Sequence, residues 1–195
     1  MNQRIDLPRT VVFALCGSFC TFGAVMPQID ALIRRGWQVQ PVLSRAAAET
    51  DTRFGTAAQW RRRLAELTGR QPLTTIQHVE PLGPEHLARA VIVAPCTGAT
   101  LARLALGLSD TPVTMAVKSM LRGGLPIVVA PSTNDGLGAS AAHLAALLQR
   151  KHFYFVPFGQ DDSIHKPNSL KSDMTLIPDA LDCALQGIQL QPLLL

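Results

Sequence analysis

The chain has 195 residues, of which 47% are hydrophobic and only 16% are charged, and its formal net charge at pH 7 is +4. This length predicts one compact domain covering residues 1–195, with a full hydrophobic core. So few charges leave apolar surface uncovered on a monomer, which predicts a homo-oligomer.

The positive charge includes one dense arginine run, Arg61 to Arg63, beside Trp60. A nucleic-acid patch is one interpretation of this run. No second basic cluster or aromatic ladder accompanies it, so a solvated helix face is favoured and no nucleic-acid partner is predicted.

The four cysteines are scattered and form no CxxC pair, which predicts neither a metal site nor a disulfide framework and suits a reducing cytoplasm. The first residues contain no apolar signal core, and the longest apolar runs are too short to span a bilayer. Neither secretion nor a membrane partner is expected.

Short runs rich in valine, isoleucine and phenylalanine recur along the chain, as expected for strands buried on both faces. The predicted strands are Thr10–Leu15, Gln38–Leu43, Ala90–Ala94, Pro126–Ala130 and Phe153–Val156. Apolar residues at helical spacing lie between them, at Val25, Ile29, Leu32 and Ile33, at Leu101, Leu104, Ala105 and Leu108, and at Leu137, Ala141, Leu144 and Leu148. Alternating strands and helices predict an α/β fold with a mostly parallel sheet.

Two segments are less regular. Pro27 falls within the first helical pattern, where the helix is expected to start or to kink. The polar stretch from Gln160 to Lys171 contains Pro167 and no periodicity, and we predict a long loop there, before a final helix near Asp179 to Leu185.

Two strand ends carry small polar residues. Gly17 and Ser18 follow the first strand, and ligands of open α/β sheets sit at such carboxyl ends, where a glycine lets backbone N–H groups approach a phosphate. The same pair could simply form the bend. Ser44 ends the second strand, where it could contact the same ligand or cap the next helix.

A third polar turn, Thr97-Gly98-Ala99-Thr100, follows the strand that ends at Ala94 and opens a helix. Hydroxyls at a helix N-terminus suit an anion or a polar cofactor chain. The glycine pattern is neither GxGxxG nor Walker A, which makes a dinucleotide or ATP less favoured in these turns.

These three turns resemble those of the flavin-containing cysteine decarboxylase family, Rossmann-like proteins of three-layer α/β/α architecture that bind FMN between the subunits of trimers. The resemblance implies FMN-binding residues at Gly17, Ser18, Ser44, Thr97, Gly98 and Thr100. It also implies a histidine ahead of the third motif, a role for which His78 is the candidate, although a lone loop histidine is more often a surface residue. Ala99 stands where the family has asparagine, and Pro131 to Asn134 match its second substrate motif only loosely, which argues against decarboxylation.

A narrower resemblance covers nearly the whole chain. Separate motifs in the same order are similar to those of the dipicolinate synthase B-subunit family: Gly17 to Thr21, Asp51 to Gly55, Glu80 to Pro84, Ser132 to Asp135, Tyr154 to Asp161, Lys166 to Leu170 and Leu185 to Pro192. In that family the chain works with a nicotinamide-binding A-subunit, which holds NAD(P), to oxidise dihydrodipicolinate in the cytoplasm of the mother cell of a sporulating bacterium.

This resemblance implies a small dicarboxylate substrate, whose two carboxylates require cationic or amide donors. Arg53, Lys166 and Asn168 lie in segments predicted to be loops and are the candidates, while Lys118 is more simply a solvated side chain. Two alternatives stay open: an FMN-dependent decarboxylase, and a non-catalytic scaffold for the A-subunit that keeps the flavoprotein fold.

Overall fold

The computed structural model describes residues 7–195, and seven strands in this range form one sheet. The strands are β1 (Thr10–Leu15), β2 (Gln38–Leu43), β3 (Ala90–Cys96), β4 (Ile127–Thr133), β5 (Phe153–Phe155), β6 (Phe158–Asp162) and β7 (Lys166–Ser172). The helices are α1 (Phe22–Arg34), α2 (Arg45–Glu49), α3 (Ala57–Thr68), α4 (Ile76–Val79), α5 (Gly98–Leu106), α6 (Pro112–Arg122), α7 (Ala141–Leu148) and α8 (Ile177–Ala184).

The first five strands run parallel in the spatial order β2, β1, β3, β4, β5. β1 therefore lies between β2, which follows it in the chain, and β3, which the chain reaches by crossing to the other side. The carboxyl ends of these strands all lie at one edge of the sheet. The predicted parallel α/β fold is confirmed.

Helices cover both faces of the sheet. On β1 the side chains of Phe13 and Leu15 join one buried cluster with residues of α1, α3 and α8. Val12 and Ala14, which point to the opposite face, join a second cluster with residues of α5, α6 and α7. Because both faces are covered, the strands are apolar throughout, and the predicted three-layer sandwich is confirmed.

Two of the predicted helical stripes extend beyond their helices. α5 ends at Leu106 because Gly107 adopts a left-handed conformation with φ of 73°, which leaves Leu108 49% exposed in the following turn. α7 begins after its N-cap Ser140, so Leu137 lies in the preceding turn and is also exposed.

Pro27 does not start the first helix, because α1 begins at Phe22 and includes Pro27 in its interior. The proline withholds one intrahelical hydrogen bond there, and packing of Val25, Ile29 and Leu32 in the core compensates for it. Among residues 7–195, no helix is both long and apolar enough to cross a bilayer.

The prediction of a long loop from Gln160 to Lys171 is wrong. The segment forms an antiparallel hairpin in which Gln160 of β6 pairs with Leu170 of β7, and β7 also pairs with the last residues of β4. Most hairpin side chains are exposed, so the apolar alternation of a half-buried strand is missing. At its tip the Asp162 carboxylate accepts hydrogen bonds from the N–H groups of Ile164 and His165.

Candidate functional site

A cleft of about 630 Å³ lies at the carboxyl ends of β1, β3 and β4. β1 and β3 are the neighbours at which the strand order reverses, and ligands of doubly wound sheets bind at this point. The volume lies within the range of small-molecule sites. The lining residues come from the turn after β1, the first turn of α5, the end of β4, the β6–β7 hairpin and Phe54.

The floor of the cleft carries a cluster of hydroxyl groups. Ser18 Oγ and Thr21 Oγ1 each lie 2.9 Å from Ser132 Oγ, and Ser18 and Thr21 lie 3.2 Å apart. Hydroxyls can rotate to donate or accept, so this cluster can turn its protons toward an anionic oxygen. Gly17 lines the cleft beside them, and a methyl group there would lie 3.2 Å from the Ala46 Cβ.

The first turn of α5 forms a second part of the cleft, through Thr97, Gly98 and Ala99. The Thr97 hydroxyl lies 3.2 Å from the hydroxyl of Thr100. It makes no capping hydrogen bond to α5, so it leaves the backbone N–H groups at the start of this helix to other partners. Thr100 is buried beneath this turn and donates a hydrogen bond to the Cys16 sulfur at 3.3 Å. Thr100 therefore supports the turn from below.

Asp135 lies against the start of α5. Its carboxylate accepts hydrogen bonds from the hydroxyls of Thr133 and Ser140, and a methyl group on Gly98 would lie only 2.6 Å from Asp135 Oδ1. The hydrogen bond from Thr133 holds the pKa of Asp135 below its usual value, with a further contribution from Ser140. The helix start thus has an ionised carboxylate beside it, which leaves the Ser18 hydroxyl cluster as the more favourable place for a phosphate.

The β6–β7 hairpin forms one wall of the cleft and supplies two lysines. Lys166 Nζ lies 2.8 Å from Asp161 Oδ2, and Lys171 Nζ lies 3.8 Å from Asp161 Oδ1. The hydrogen bond to Asp161 raises the pKa of Lys166. Asp162 on the same hairpin also acts on Lys166, so two carboxylates balance the two lysines of this wall.

The structure brings together five of the residues predicted for the site: Gly17, Ser18, Thr97, Gly98 and Lys166 all line the cleft. Ser44 lies outside the cleft lining, because its hydroxyl caps α2 by accepting the Ala47 N–H at 3.2 Å. For Ser44 the structure therefore shows the alternative of an ordinary helix cap.

The remaining predicted residues lie beside the cleft or away from it. Arg53 precedes Phe54, a lining residue, and Asn168 is an exposed residue of β7 whose carbonyl accepts the Leu137 N–H at 3.0 Å. His78 is exposed on α4, a short helix that packs against α6 and lies outside the cleft of its own chain.

The sequence analysis missed several lining residues. Ser132 and Asp135 follow a buried strand, so the rule that located Gly17 and Thr97 could also have found them at the end of β4. Asp161 and Lys171 could not be found in this way, since the hairpin that places them was predicted to be a loop.

Comparison with known sequences agrees with this geometry. The sequence model of the family described as Flavoprotein matches residues 2–179. The dipicolinate synthase B-subunit of Bacillus subtilis (strain 168) is 41% identical over 186 residues, which cover 95% of this chain and 93% of that protein.

Solved structures have the same fold. The dipicolinate synthase B-subunit from Bacillus halodurans C superposes with a TM-score of 0.88 and 38% identity over 95% of both chains. The FMN-dependent cysteine decarboxylase SpaF is 24% identical, with a TM-score of 0.65 over 90% of this chain and 96% of that one, a likeness of fold. The resemblance seen in the sequence is thereby confirmed, and the chain belongs to the flavoprotein family.

Proposed function

We propose that this chain is the flavin-binding component of a dipicolinate synthase made of two different proteins. It holds FMN in the cleft and acts with a nicotinamide-binding A-subunit to oxidise dihydrodipicolinate. The observation that carries the proposal is the 41% identity to a dipicolinate synthase B-subunit along 95% of the chain. The proposed setting is the cytoplasm of the mother cell during sporulation.

The residues of the cleft fit FMN. Gly17 and Gly98 let neighbouring elements pack closely beside the cleft, and the hydroxyls of Ser18 and Thr97 are available to a phosphate or a ribityl chain. We assign supporting roles to Ser44 and Thr100, which brace the turns behind these residues. FMN, when bound, supplies reversible acceptance of two electrons.

The substrate would enter past the hairpin wall that carries Lys166 and Lys171. Conversion of the dihydropyridine ring to an aromatic ring removes a hydride equivalent and a proton, and the two carboxylates remain throughout. We assign recognition of these carboxylates to Arg53, Lys166 and Asn168, because they lie at or next to the cleft and present cationic or amide donors. Their role is to hold the ring in a fixed position while it reacts.

His78 is the proposed proton carrier, and its position restricts how it could act. It lies outside the cleft of its own chain, so proton transfer by His78 requires a homo-oligomer in which it faces the cleft of another copy. A trimer-based assembly would satisfy this requirement. The low charged fraction of the sequence supports such an assembly.

A decarboxylase is the second candidate function, and the fold likeness to a cysteine decarboxylase favours it. One feature counts against it: Ala99 offers no side-chain amide beside the cleft. The oxidoreductase is therefore the function that the site supports better.

The test is reconstitution of dihydrodipicolinate oxidation from the two purified proteins. The rate is measured with the A-subunit on its own, with both proteins, and with FMN or the nicotinamide omitted in turn. The proposal expects a large rate only when both proteins and both cofactors are present. A full rate without this chain would contradict the proposal, and a full rate without FMN would reduce the chain to a scaffold for its nicotinamide-binding partner.

A further inference from the structure

Residues Thr52 to Gly55 form a tight turn at the mouth of the cleft. Thr52 and Gly55 exchange two backbone hydrogen bonds of 3.1 Å, and the Thr52 hydroxyl accepts the Phe54 N–H at 3.2 Å. Gly55 has φ of 131° and lies so close to Trp60 that a methyl group would be 2.9 Å from its indole nitrogen. The turn is therefore fixed from within and braced against a buried tryptophan.

This turn holds an aromatic ring at the cleft. Phe54 lines the cleft although 42% of the residue is exposed to solvent. In the free protein this large apolar side chain remains partly exposed to water. A flat ligand that covers it would bury the exposed apolar surface and gain contact with the ring. The turn thus places a potential stacking surface at the cleft.

The neighbouring Arg53 lies over the same ring, with its guanidinium carbon 4.9 Å from the ring centroid of Phe54. Within residues 7–195 no carboxylate forms an ion pair with Arg53, whereas Lys166 and Lys171 on the hairpin wall share Asp161. The Arg53 guanidinium is thus oriented by the aromatic ring and is available to an anion from solution.

We propose that Phe54 and Arg53 together form the docking element for the flat ring of the aromatic dicarboxylate product, with Phe54 stacking on that ring and Arg53 binding one carboxylate. The inference rests on the proposed function for the identity of the ligand. It assigns to Phe54 the selection of planar over saturated rings, since a puckered ring cannot lie flat against a phenyl group.

The experiment measures binding by calorimetry to the full chain. The ligands are FMN, dipicolinate, isophthalate and cis-hexahydroisophthalate, of which the last two carry the same two carboxylates on a flat and a saturated ring. The proteins are the wild type, Phe54→Ala, Phe54→Tyr and Arg53→Ala. Ile188→Ala, which truncates an exposed apolar residue outside the cleft, is the matched control.

The wild type should prefer isophthalate to its saturated analogue, and Phe54→Ala should reduce this preference by roughly three- to tenfold. Phe54→Tyr and Ile188→Ala should keep it. Arg53→Ala should weaken the binding of both ligands and leave the ratio of their affinities nearly unchanged. Because Phe54 and Arg53 are exposed, all variants should melt at nearly the temperature of the wild type.

A wild type without the preference, or a Phe54→Ala variant that retains it, overturns the inference. So does a Phe54→Ala variant that loses only FMN affinity, since the ring would then belong to the flavin site. Ring preference in a chain that fails to support dihydrodipicolinate oxidation would sink the proposed function alone. Oxidation with no effect of Phe54→Ala on the preference would sink this inference alone.

Discussion

Of the two glycines that line the cleft, Gly98 has less room for a side chain than Gly17. A methyl group there would lie 2.4 Å from Ser140 Oγ and 2.6 Å from Asp135 Oδ1, two atoms that hydrogen-bond to each other. These short side chains cannot move away without breaking their own hydrogen bonds. The absence of a side chain at Gly98 therefore allows the end of β4 to close against the start of α5.

We expect Gly98→Ala to lower the free energy of unfolding by about 1–3 kcal/mol, because the added methyl forces these groups apart. It should weaken FMN binding as well. Urea unfolding and a flavin titration measure the two effects. Gly23→Ala is the control, since a methyl group at Gly23 meets no atom within 4 Å and should leave stability unchanged or slightly higher. Equal stability of both variants would contradict this account of Gly98.

The cysteines differ in reactivity because they differ in burial. Burial raises the pKa of Cys16 to about 11 and that of Cys96 above its usual value, while Cys20 is exposed and lines the cleft. The thiolate is the reactive form, so the two buried thiols are protected both from contact and from ionisation.

A maleimide should therefore label Cys20 in the native protein and reach Cys16 and Cys96 only after unfolding, as read by peptide mass spectrometry. Bound FMN should slow labelling of Cys20 but not of the partly exposed Cys183, which lies on α8 outside the cleft. Native labelling of Cys96 would show that the strand ends open more readily than their packing indicates.

At the scale of elements, the β6–β7 hairpin determines the charge of the cleft mouth. Asp161 pairs with Lys166 and Lys171, and all three residues line the cleft. The carboxylate offsets part of the attraction that the lysines exert on an anionic ligand. Its removal is expected to strengthen anion binding.

We predict that Asp161→Asn binds dipicolinate about two- to fivefold more tightly at low salt, in keeping with the strength of exposed charge interactions. The gain should shrink as ionic strength rises. Calorimetry at two salt concentrations measures it. The control is Asp182→Asn, which removes an α8 carboxylate that pairs with Arg35. It should show no gain. Weaker binding to Asp161→Asn would mean that Asp161 positions the lysines rather than neutralising them.

The hairpin also shows where the sequence failed to predict the site. The parallel strands were predictable because each is an apolar run buried on both faces, and their ends located Gly17 and Thr97. β6 and β7 are mostly exposed and pair through their backbones, so no hydrophobic period marks them. Asp161 and Lys171 therefore became visible only in the structure.

The turn that contains Arg53 and Phe54 could be predicted only in part from the sequence. The sequence analysis chose Arg53 for its charge in a predicted loop, but no local pattern indicated that the chain folds back to bring Phe54 to the cleft. That contact depends on long-range packing of Trp60 against Phe22, whose rings lie 5.2 Å apart. Such contacts are set by tertiary structure and leave no periodic signal.

At the scale of the whole molecule, four of the eight exposed leucines of residues 7–195 lie on α5, on α7 and in the turns next to them, two helices that pack together. They are Leu106 (67% exposed), Leu108 (49%), Leu137 (52%) and Leu148 (40%). Isolated exposed leucines are ordinary, but several on neighbouring elements are typical of a surface that meets another chain. This surface is the one that we assign to the predicted homo-oligomer.

Light scattering at micromolar concentration should give the mass of a trimer or of a multiple of it. Leu106→Lys should lower that mass, because it places a charge on the assigned surface. Ile164→Lys, at the exposed tip of the hairpin, is the control and should leave the mass unchanged. A monomeric wild type would contradict the assembly and the proposed role of His78 with it.

The central claim is that the cleft at the ends of β1, β3 and β4 holds FMN, and a flavin titration tests it most directly. Quenching of flavin fluorescence by the wild type should saturate at one FMN per chain. Ser18→Ala, which removes one hydroxyl of the floor, should weaken binding about tenfold to a hundredfold, since a hydrogen bond to a charged group is lost. A wild type that does not quench FMN, or a Ser18→Ala variant that binds it equally well, would contradict the account.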